Sequence, residues 1–281
     1  MMGVHPLVID LAGGVEEPPA LIHLHASVVA GVLVLAAVYV LAAARLRQPI
    51  ARGQAAAMAA ALAAILFALG PLDGLADQRC FTAHMAQHLV LALVMPALLL
   101  LGIPAGFLSP LLRYRSVARI ARAVTRPVVA FTLYNGFLAA IHTPPVFEHM
   151  VRDEGFHIAI HLGLMVTGTL MWWPLLSPTP LLPRLAYPAQ ALYLFLLLIP
   201  MAAVSAPITL AGEVIYPWYF DGAHPWGMAP LTDQVLGGLL MWIGSGIYLM
   251  GVFSLMFFRW AQREDRDEPL VRQPPRLVPL G

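Results

Sequence analysis

Lysine is absent from this chain of 281 residues, so all 16 of its basic residues are arginine. Charged residues of either sign make up only 11% of the sequence, whereas about 25% is usual in soluble domains. Hydrophobic residues account for 60%. A chain with so little charge predicts an all-α polytopic membrane protein rather than a soluble one. We expect the lipid bilayer as its environment and no nucleic acid as a partner.

Other absences narrow the function. A single cysteine, Cys80, excludes an internal disulfide framework. The first residues carry no basic stretch before an apolar run, so we expect no cleavable signal peptide. The His-Glu-x-x-His, Gly-x-Ser-x-Gly, P-loop and Gly-x-Gly-x-x-Gly motifs are all missing. The sequence therefore favours a protein that is not an enzyme.

Hydropathy predicts seven transmembrane helices, each close to the length of about 20 apolar residues that a bilayer requires. The predicted spans are Leu21–Ala44, Gln54–Leu72, Phe81–Leu101, Pro127–Ile141, Phe156–Leu176, Tyr187–Leu210 and Gln234–Trp260. The chain thus divides into a short outer segment (1–20), a seven-helix bundle (21–260) and a disordered cytoplasmic tail (261–281). No predicted span contains Asp, Glu or Arg in its interior, which argues against a proton-coupled transporter.

The arginines predict the orientation of the bundle. All of them except Arg79 and Arg152 fall in loops or tails on one side of the predicted spans. By the positive-inside rule that side is cytoplasmic, so the N-terminus lies outside and the C-terminus in the cytoplasm. We expect a multi-pass protein of the bacterial cytoplasmic membrane.

All ten histidines fall on the predicted outer face. They are His5, His23, His25, His84, His88, His142, His149, His157, His161 and His224. His84/His88 and His157/His161 are spaced i, i+4, which places each pair on one face of its helix. Two such pairs on facing helices offer three or four nitrogen ligands at one depth, and His142 is placed to complete the set. Imidazole is the commonest metal ligand side chain, so we predict a metal site at these five residues.

The pattern leaves further contributors open. Met95 and Met165 continue the faces of the two histidine pairs inward, and Cys80 precedes His84 by four residues. Asp233 is either a helix N-cap or a carboxylate that orients a ligand. Two other groups are interpreted as interfacial. These are the histidines His5, His25, His149 and His224, and the aromatic residues Trp172, Trp173, Trp218, Tyr219, Trp226 and Trp260. The role of His23 is left open.

Several short motifs occur in order along the chain. They are HMAQHL at 84–89, PALLLLGIP at 96–104, HTPP at 142–145, WWP at 172–174 and PLTDQ at 230–234. Together with His157, His161 and Gly168, they resemble the multi-spanning CtaG family of cytochrome c oxidase assembly factors, which is distinct from the single-span copper chaperone of the same name. The resemblance covers roughly residues 20–260. It implies a role in maturing a haem-copper oxidase, but it gives no role to Cys80 or His5.

The two lines together predict a membrane-embedded copper-binding assembly factor. Copper would be held near the outer face and passed to an oxidase subunit, or exchanged with another copper chaperone. The metal's identity, oxidation state and stoichiometry stay open, and a homo-oligomer is compatible with the sequence.

Two alternatives also remain. One is a haem protein with an axial histidine from each pair. The other is a zinc-dependent membrane hydrolase, in which Asp77, Glu148 or Asp233 would serve as the base.

Overall fold

A computed structural model describes residues 25–77, 79–219 and 227–267, and this part of the chain is helical without a β-strand. The helices are α1 (Ala26–Leu46), α2 (Arg52–Asp77), α3 (Phe81–Gly102), α4 (Ser109–Leu112), α5 (Arg115–Val124), α6 (Pro127–Ile141), α7 (Pro144–Arg152), α8 (Glu154–Leu176), α9 (Tyr187–Leu210) and α10 (Pro230–Gln262, continuing to Asp267). A 3-10 turn at Pro217–Tyr219 precedes α10. The expected all-α polytopic fold is confirmed. The N-terminal segment, the end of the tail, His5, His23, His224 and Trp226 lie outside the described residues.

Six of these helices are long and apolar enough to cross a membrane: α1, α2, α3, α8, α9 and α10. The fourth predicted span coincides with α6, which has 15 residues and is therefore about 22 Å long, short of the roughly 30 Å of a bilayer core. A seventh span is counted only if α5 and α6 form one broken span, because a bend of 67° separates them. The predicted orientation stays a prediction.

Helix α3 is the centre of the bundle. In its most apolar stretch 61% of the residues are buried inside the protein, whereas in that of α1 only 11% are buried. It packs against α2, α8 and α10. The side chains of α1 are mostly exposed apolar groups such as Leu33 and Val34, as expected of a helix that faces lipid. Helix α3 is therefore the most enclosed of the candidate membrane spans.

Three helices are interrupted by a wider π-helical turn: Ala68–Leu72 in α2, Val90–Val94 in α3 and Leu240–Gly244 in α10. A π-turn accommodates an extra residue, which rotates the following turns by about 100° relative to a regular helix. Met95 lies beyond such a turn. It consequently packs with Val32, Ala61 and Ile65 instead of continuing the face of His84.

A glycine allows α8 to approach α3 closely. A Cβ atom built at Gly168 would lie 2.4 Å from the carbonyl oxygen of Ala92, inside the π-turn of α3. No larger residue fits there without moving one backbone away from the other. The two helices that carry the histidine pairs are therefore in backbone contact just below those pairs.

Candidate metal centre

The five predicted histidines come together at one end of the bundle. His84 and His88 come from α3, His157 and His161 from α8, and His142 follows the last residue of α6. Their ring centroids are separated by 4.3 Å for His157 and His161 and by 6.0 Å for His88 and His142. All but the half-buried His157 are buried. Helical spacing thus predicted a set of residues that the fold does assemble.

Three of these rings form the tightest group. The Nε2 atoms of His84 and His88 are 2.9 Å apart, and the ring of His157 stacks on that of His84 with a centroid distance of 5.2 Å. Each of the three histidines offers one nitrogen, and these atoms all lie within 4.8 Å of one another. Imidazole nitrogens bind zinc at about 2.0–2.1 Å, so atoms this close could share one ion.

Four buried ring nitrogens in the cluster have no hydrogen-bond partner. They are Nδ1 of His88 and Nε2 of His142, His157 and His161. A buried polar atom left without a partner costs about 1–3 kcal/mol, and native structures contain few of them. Four such atoms in one cluster form a donor set that suits a cation.

The ring of His142 is held in one orientation. Its Nδ1 donates a hydrogen bond of 2.7 Å to the carbonyl oxygen of Leu138, which leaves Nε2 as the atom with a free lone pair. Burial lowers the pKa of His142 to about 4, so the ring is neutral at neutral pH. A neutral imidazole fixed through its second nitrogen is the form that binds a metal.

Tyr219 supports His84 in a comparable way. Its hydroxyl lies 3.0 Å from Nδ1 of His84, on the far side of the ring from Nε2. Only 2% of Tyr219 is exposed, so its interpretation as an interfacial aromatic was wrong, and the same holds for the fully buried Trp172. Both belong to the core because other parts of the chain cover them.

Aromatic rings pack over the histidine cluster and enclose it. Phe147 lies 5.4 Å from His84 between ring centroids and stacks at 4.0 Å on Tyr216. The hydroxyl of Tyr216 donates a hydrogen bond to the carbonyl oxygen of His142. Phe81 packs against Tyr216 and Tyr219. The described part of the loop before α10 is thus an ordered cap over the histidines.

Asp233 caps the histidine helix from another span. Its carboxylate accepts hydrogen bonds from the backbone N–H groups of Phe81 (2.5 Å) and Thr82 (3.0 Å) and from the Thr82 hydroxyl (2.6 Å). These are first-turn donors of α3, where an anionic acceptor is most stabilising. Asp233 lies in the first turn of α10, but the helix it caps is α3. No imidazole is among these partners.

The sulphur-containing candidates lie away from the ring nitrogens or are unsuited to a metal. The thiol of Cys80 donates to Asp233 at 3.8 Å. Burial raises its pKa, and the neighbouring carboxylate acts in the same direction, so the thiolate that a metal requires is disfavoured. Met165 packs between the main core and the cluster that contains Met95. We interpret both methionines as packing residues.

Gln87 and Asp73 were not among the predicted site residues. Gln87 lies between His84 and His88 in the sequence, and its side chain is fully buried. Its amide donates to the carboxylate of Asp73 at 2.6 Å and to the carbonyl oxygen of Ala68 at 3.1 Å. That carbonyl lies in the π-turn of α2. The half-exposed His25 lies 4.0 Å from the same carboxylate. Gln87 thus links α3 to α2. The signal that could have predicted this link is the presence of a polar amide within the His-x3-His motif of an apolar helix.

His149 illustrates the histidines that do not join the cluster. It is exposed, and its ring packs on Phe156 with a centroid distance of 4.7 Å. No described contact joins it to the five clustered rings.

Comparisons with known proteins identify the family of the chain. The family model described as cytochrome c oxidase caa3 assembly factor matches residues 37–263, which confirms the resemblance drawn from the motifs. Uncharacterized proteins of Mycobacterium bovis and Mycobacterium tuberculosis are each 27% identical over 221 residues, covering 73% of this chain and 33% of the relative. One of Mycobacterium leprae is 25% identical over 206 residues, covering 66% and 31%. The chain therefore spans about a third of these relatives' length. No solved structure matches it.

Proposed function

We propose, from the fact that this chain belongs to the family of cytochrome c oxidase caa3 assembly factors, that it binds copper through its histidine cluster and supplies it to the oxidase. His84, His88 and His157 are the central ligands, and His142 and His161 complete the set. The copper reaches an oxidase subunit directly or by way of another copper chaperone. The cluster faces the outside of the bacterial cytoplasmic membrane, where arginine is scarce.

The observation that carries this proposal is the group of four buried, unpartnered imidazole nitrogens. Without an ion, each costs free energy and adds no specificity. With one, the same atoms become ligands, and for His142 the hydrogen bond from Nδ1 to the Leu138 carbonyl sets the orientation of the ring. Copper is favoured because the family serves an oxidase that contains copper and because imidazole suits that metal.

A haem group fits the cluster less well. Axial ligands must approach a haem from its two opposite faces, with the macrocycle between them. Here His84 stacks directly on His157 at 5.2 Å, and Phe147 and Tyr219 pack against His84 as well. This spacing accommodates an ion more readily than a planar macrocycle.

A zinc-dependent hydrolase also lacks support, because two of its candidate bases are engaged elsewhere. Asp233 accepts the first-turn donors of α3. Glu148 pairs with Arg152 at 2.9 Å and accepts from the backbone N–H of Trp218.

The test is the copper content of purified protein. We expect the unmodified chain to retain copper after dialysis and His84→Ala/His88→Ala to lose it almost completely. His149→Ala is the matched control, since it removes an exposed histidine from the same end of the protein and should leave the copper unchanged. A visible spectrum of the same sample would reveal a haem as a Soret band.

Two results would contradict the assignment. Equal copper in the unmodified protein and the double variant would remove α3 from the site. No copper in either, after loading under both oxidising and reducing conditions, would remove the metal.

A further inference from the structure

The opposite end of the protein carries a stripe of arginines on α5. Arg115, Arg119 and Arg122 are spaced i, i+4, i+7, which puts them on one face of the helix. Arg126, at the junction with α6, extends the stripe. These four residues and Ala123 line an open groove of about 470 Å³. All four arginines are exposed.

The stripe has no acidic counterpart in the described part of the chain. In that part of the chain Arg152 pairs with Glu148, and His25 lies 4.0 Å from Asp73; both pairs are near the histidine cluster. Arg122 donates through Nε to the backbone carbonyl of Ala118 on its own helix. A group of exposed guanidinium groups around one groove, with no carboxylate from the described residues among them, suits an anionic ligand.

The remaining faces of α5 indicate that this helix lies at the surface of the membrane. Ala118 is buried against the protein, whereas Val117 and Ile120, on the side opposite the arginines, are exposed apolar residues. A helix with one apolar and one basic face lies in the membrane interface. The bend of 67° between α5 and α6 is consistent with this, since it turns α5 away from the direction of the short α6.

A membrane-crossing α5 is disfavoured by the same residues. Translocon measurements put the cost of an arginine at the centre of a membrane helix at about 2.5–3.5 kcal/mol. Three of them on a helix of ten residues cannot all reach the interface while the helix crosses the bilayer core. At the interface, by contrast, the guanidinium groups meet the lipid headgroups while Val117 and Ile120 reach the acyl chains.

We propose that the groove lined by Arg115, Arg119, Arg122 and Arg126 binds the phosphodiester headgroup of an anionic phospholipid. The planar guanidinium groups donate paired hydrogen bonds to phosphate oxygens, and the net negative charge of the headgroup matches the positive charge of the stripe. This site is independent of the histidine cluster and of copper binding.

The experiment measures lipid bound to the purified full-length protein by native mass spectrometry. Detergent-solubilised protein is titrated with phosphatidylglycerol, with phosphatidylcholine of the same acyl chains, or with inorganic phosphate. We expect a phosphatidylglycerol adduct on the unmodified chain at concentrations where phosphatidylcholine and inorganic phosphate give none. For Arg115→Gln/Arg119→Gln we expect affinity to fall roughly tenfold or more.

The matched control is Arg45→Gln/Arg52→Gln, which removes one arginine from the last turn of α1 and one from the first turn of α2, on the same predicted side. It should bind phosphatidylglycerol like the unmodified chain. The proposal fails if both double variants weaken binding equally, if neither does, or if phosphatidylcholine or free phosphate binds as well as phosphatidylglycerol. The lipid comparison on the unmodified chain can overturn the proposal even if a variant folds poorly.

Discussion

The two ends of this bundle handle polar side chains in opposite ways. At the histidine end, the five clustered imidazoles come from three parts of the chain, four of them are buried, and neighbouring residues hold individual rings in place. At the arginine end, the stripe of α5 belongs to a single helix, is exposed, and has no acidic partner within the described residues.

This difference is the one expected between a site for a metal ion and a site for a lipid headgroup. Ligands for a small ion must be fixed to within a few tenths of an ångström, so their geometry depends on packing between helices. A headgroup site tolerates flexible side chains, because charge attraction acts over a Debye length of about 8–10 Å. We therefore expect changes in packing to damage the histidine end and to leave the arginine end largely unaffected.

The largest effect is expected from Asp233→Ala. This change leaves two backbone N–H groups at the start of α3 without their acceptor, while the hydroxyl of Thr82 keeps only the backbone carbonyl of residue 233. We expect a loss of roughly 2–3 kcal/mol in stability and of most bound copper. Thermal unfolding followed by circular dichroism, with copper measured on the same sample, provides the test.

Arg119→Gln is the corresponding change at the arginine end and should alter stability by no more than about 0.5 kcal/mol. If Asp233→Ala unfolds at the same temperature as the unmodified chain, the cap of α3 has no energetic importance and the contrast between the ends is weaker than we infer.

An intermediate effect is expected from Gly168→Ala. The added Cβ would lie 2.4 Å from the carbonyl oxygen of Ala92, so α8 and α3 must separate. Overpacking of this kind costs about 1–3 kcal/mol. Copper affinity should fall with it, since the two histidine pairs move apart. The control is Gly136→Ala in α6, where an added Cβ meets no atom within 4 Å. Similar copper affinities in the two variants would contradict the prediction.

The smallest effect is expected from Tyr219→Phe, which removes the hydroxyl beside Nδ1 of His84 and keeps the ring. We expect copper affinity to fall about tenfold, as is usual when a partner of a metal-binding histidine is lost. Tyr216→Phe is the control, because its hydroxyl bonds the backbone carbonyl of His142 and no ring nitrogen. Competition with a chelator of known affinity measures both, and equal losses would show that Tyr219 has no special part.

Hydropathy and helical period predicted the helices well because each signal is local. The predicted ends of α6 and α9 coincide with the observed ones, and the histidine pairs lie on shared faces as expected. Met95 was placed wrongly, because the prediction assumed an unbroken α-helix and the turn at Val90–Val94 is wider.

The supporting residues of the site were less accessible to sequence reasoning. Tyr219 lies 135 positions from His84, and Asp233 lies 152 from Phe81. Neither pairing leaves a periodic signal, and an aromatic residue near a predicted membrane boundary fits an interfacial role equally well. Only the packing of α10 and its preceding loop against α3 distinguishes the two interpretations.

The cap on α3 also has a consequence for biosynthesis. Phe81 leaves the ribosome long before Asp233, the residue that accepts its backbone N–H. Chains are made from the N-terminus onward, so α3 and α8 can be inserted while the first turn of α3 still lacks this acceptor. The histidine end therefore reaches its final form only when the last membrane helix has been synthesised and packed. A truncated chain that lacks this helix would carry all five clustered histidines without a finished site.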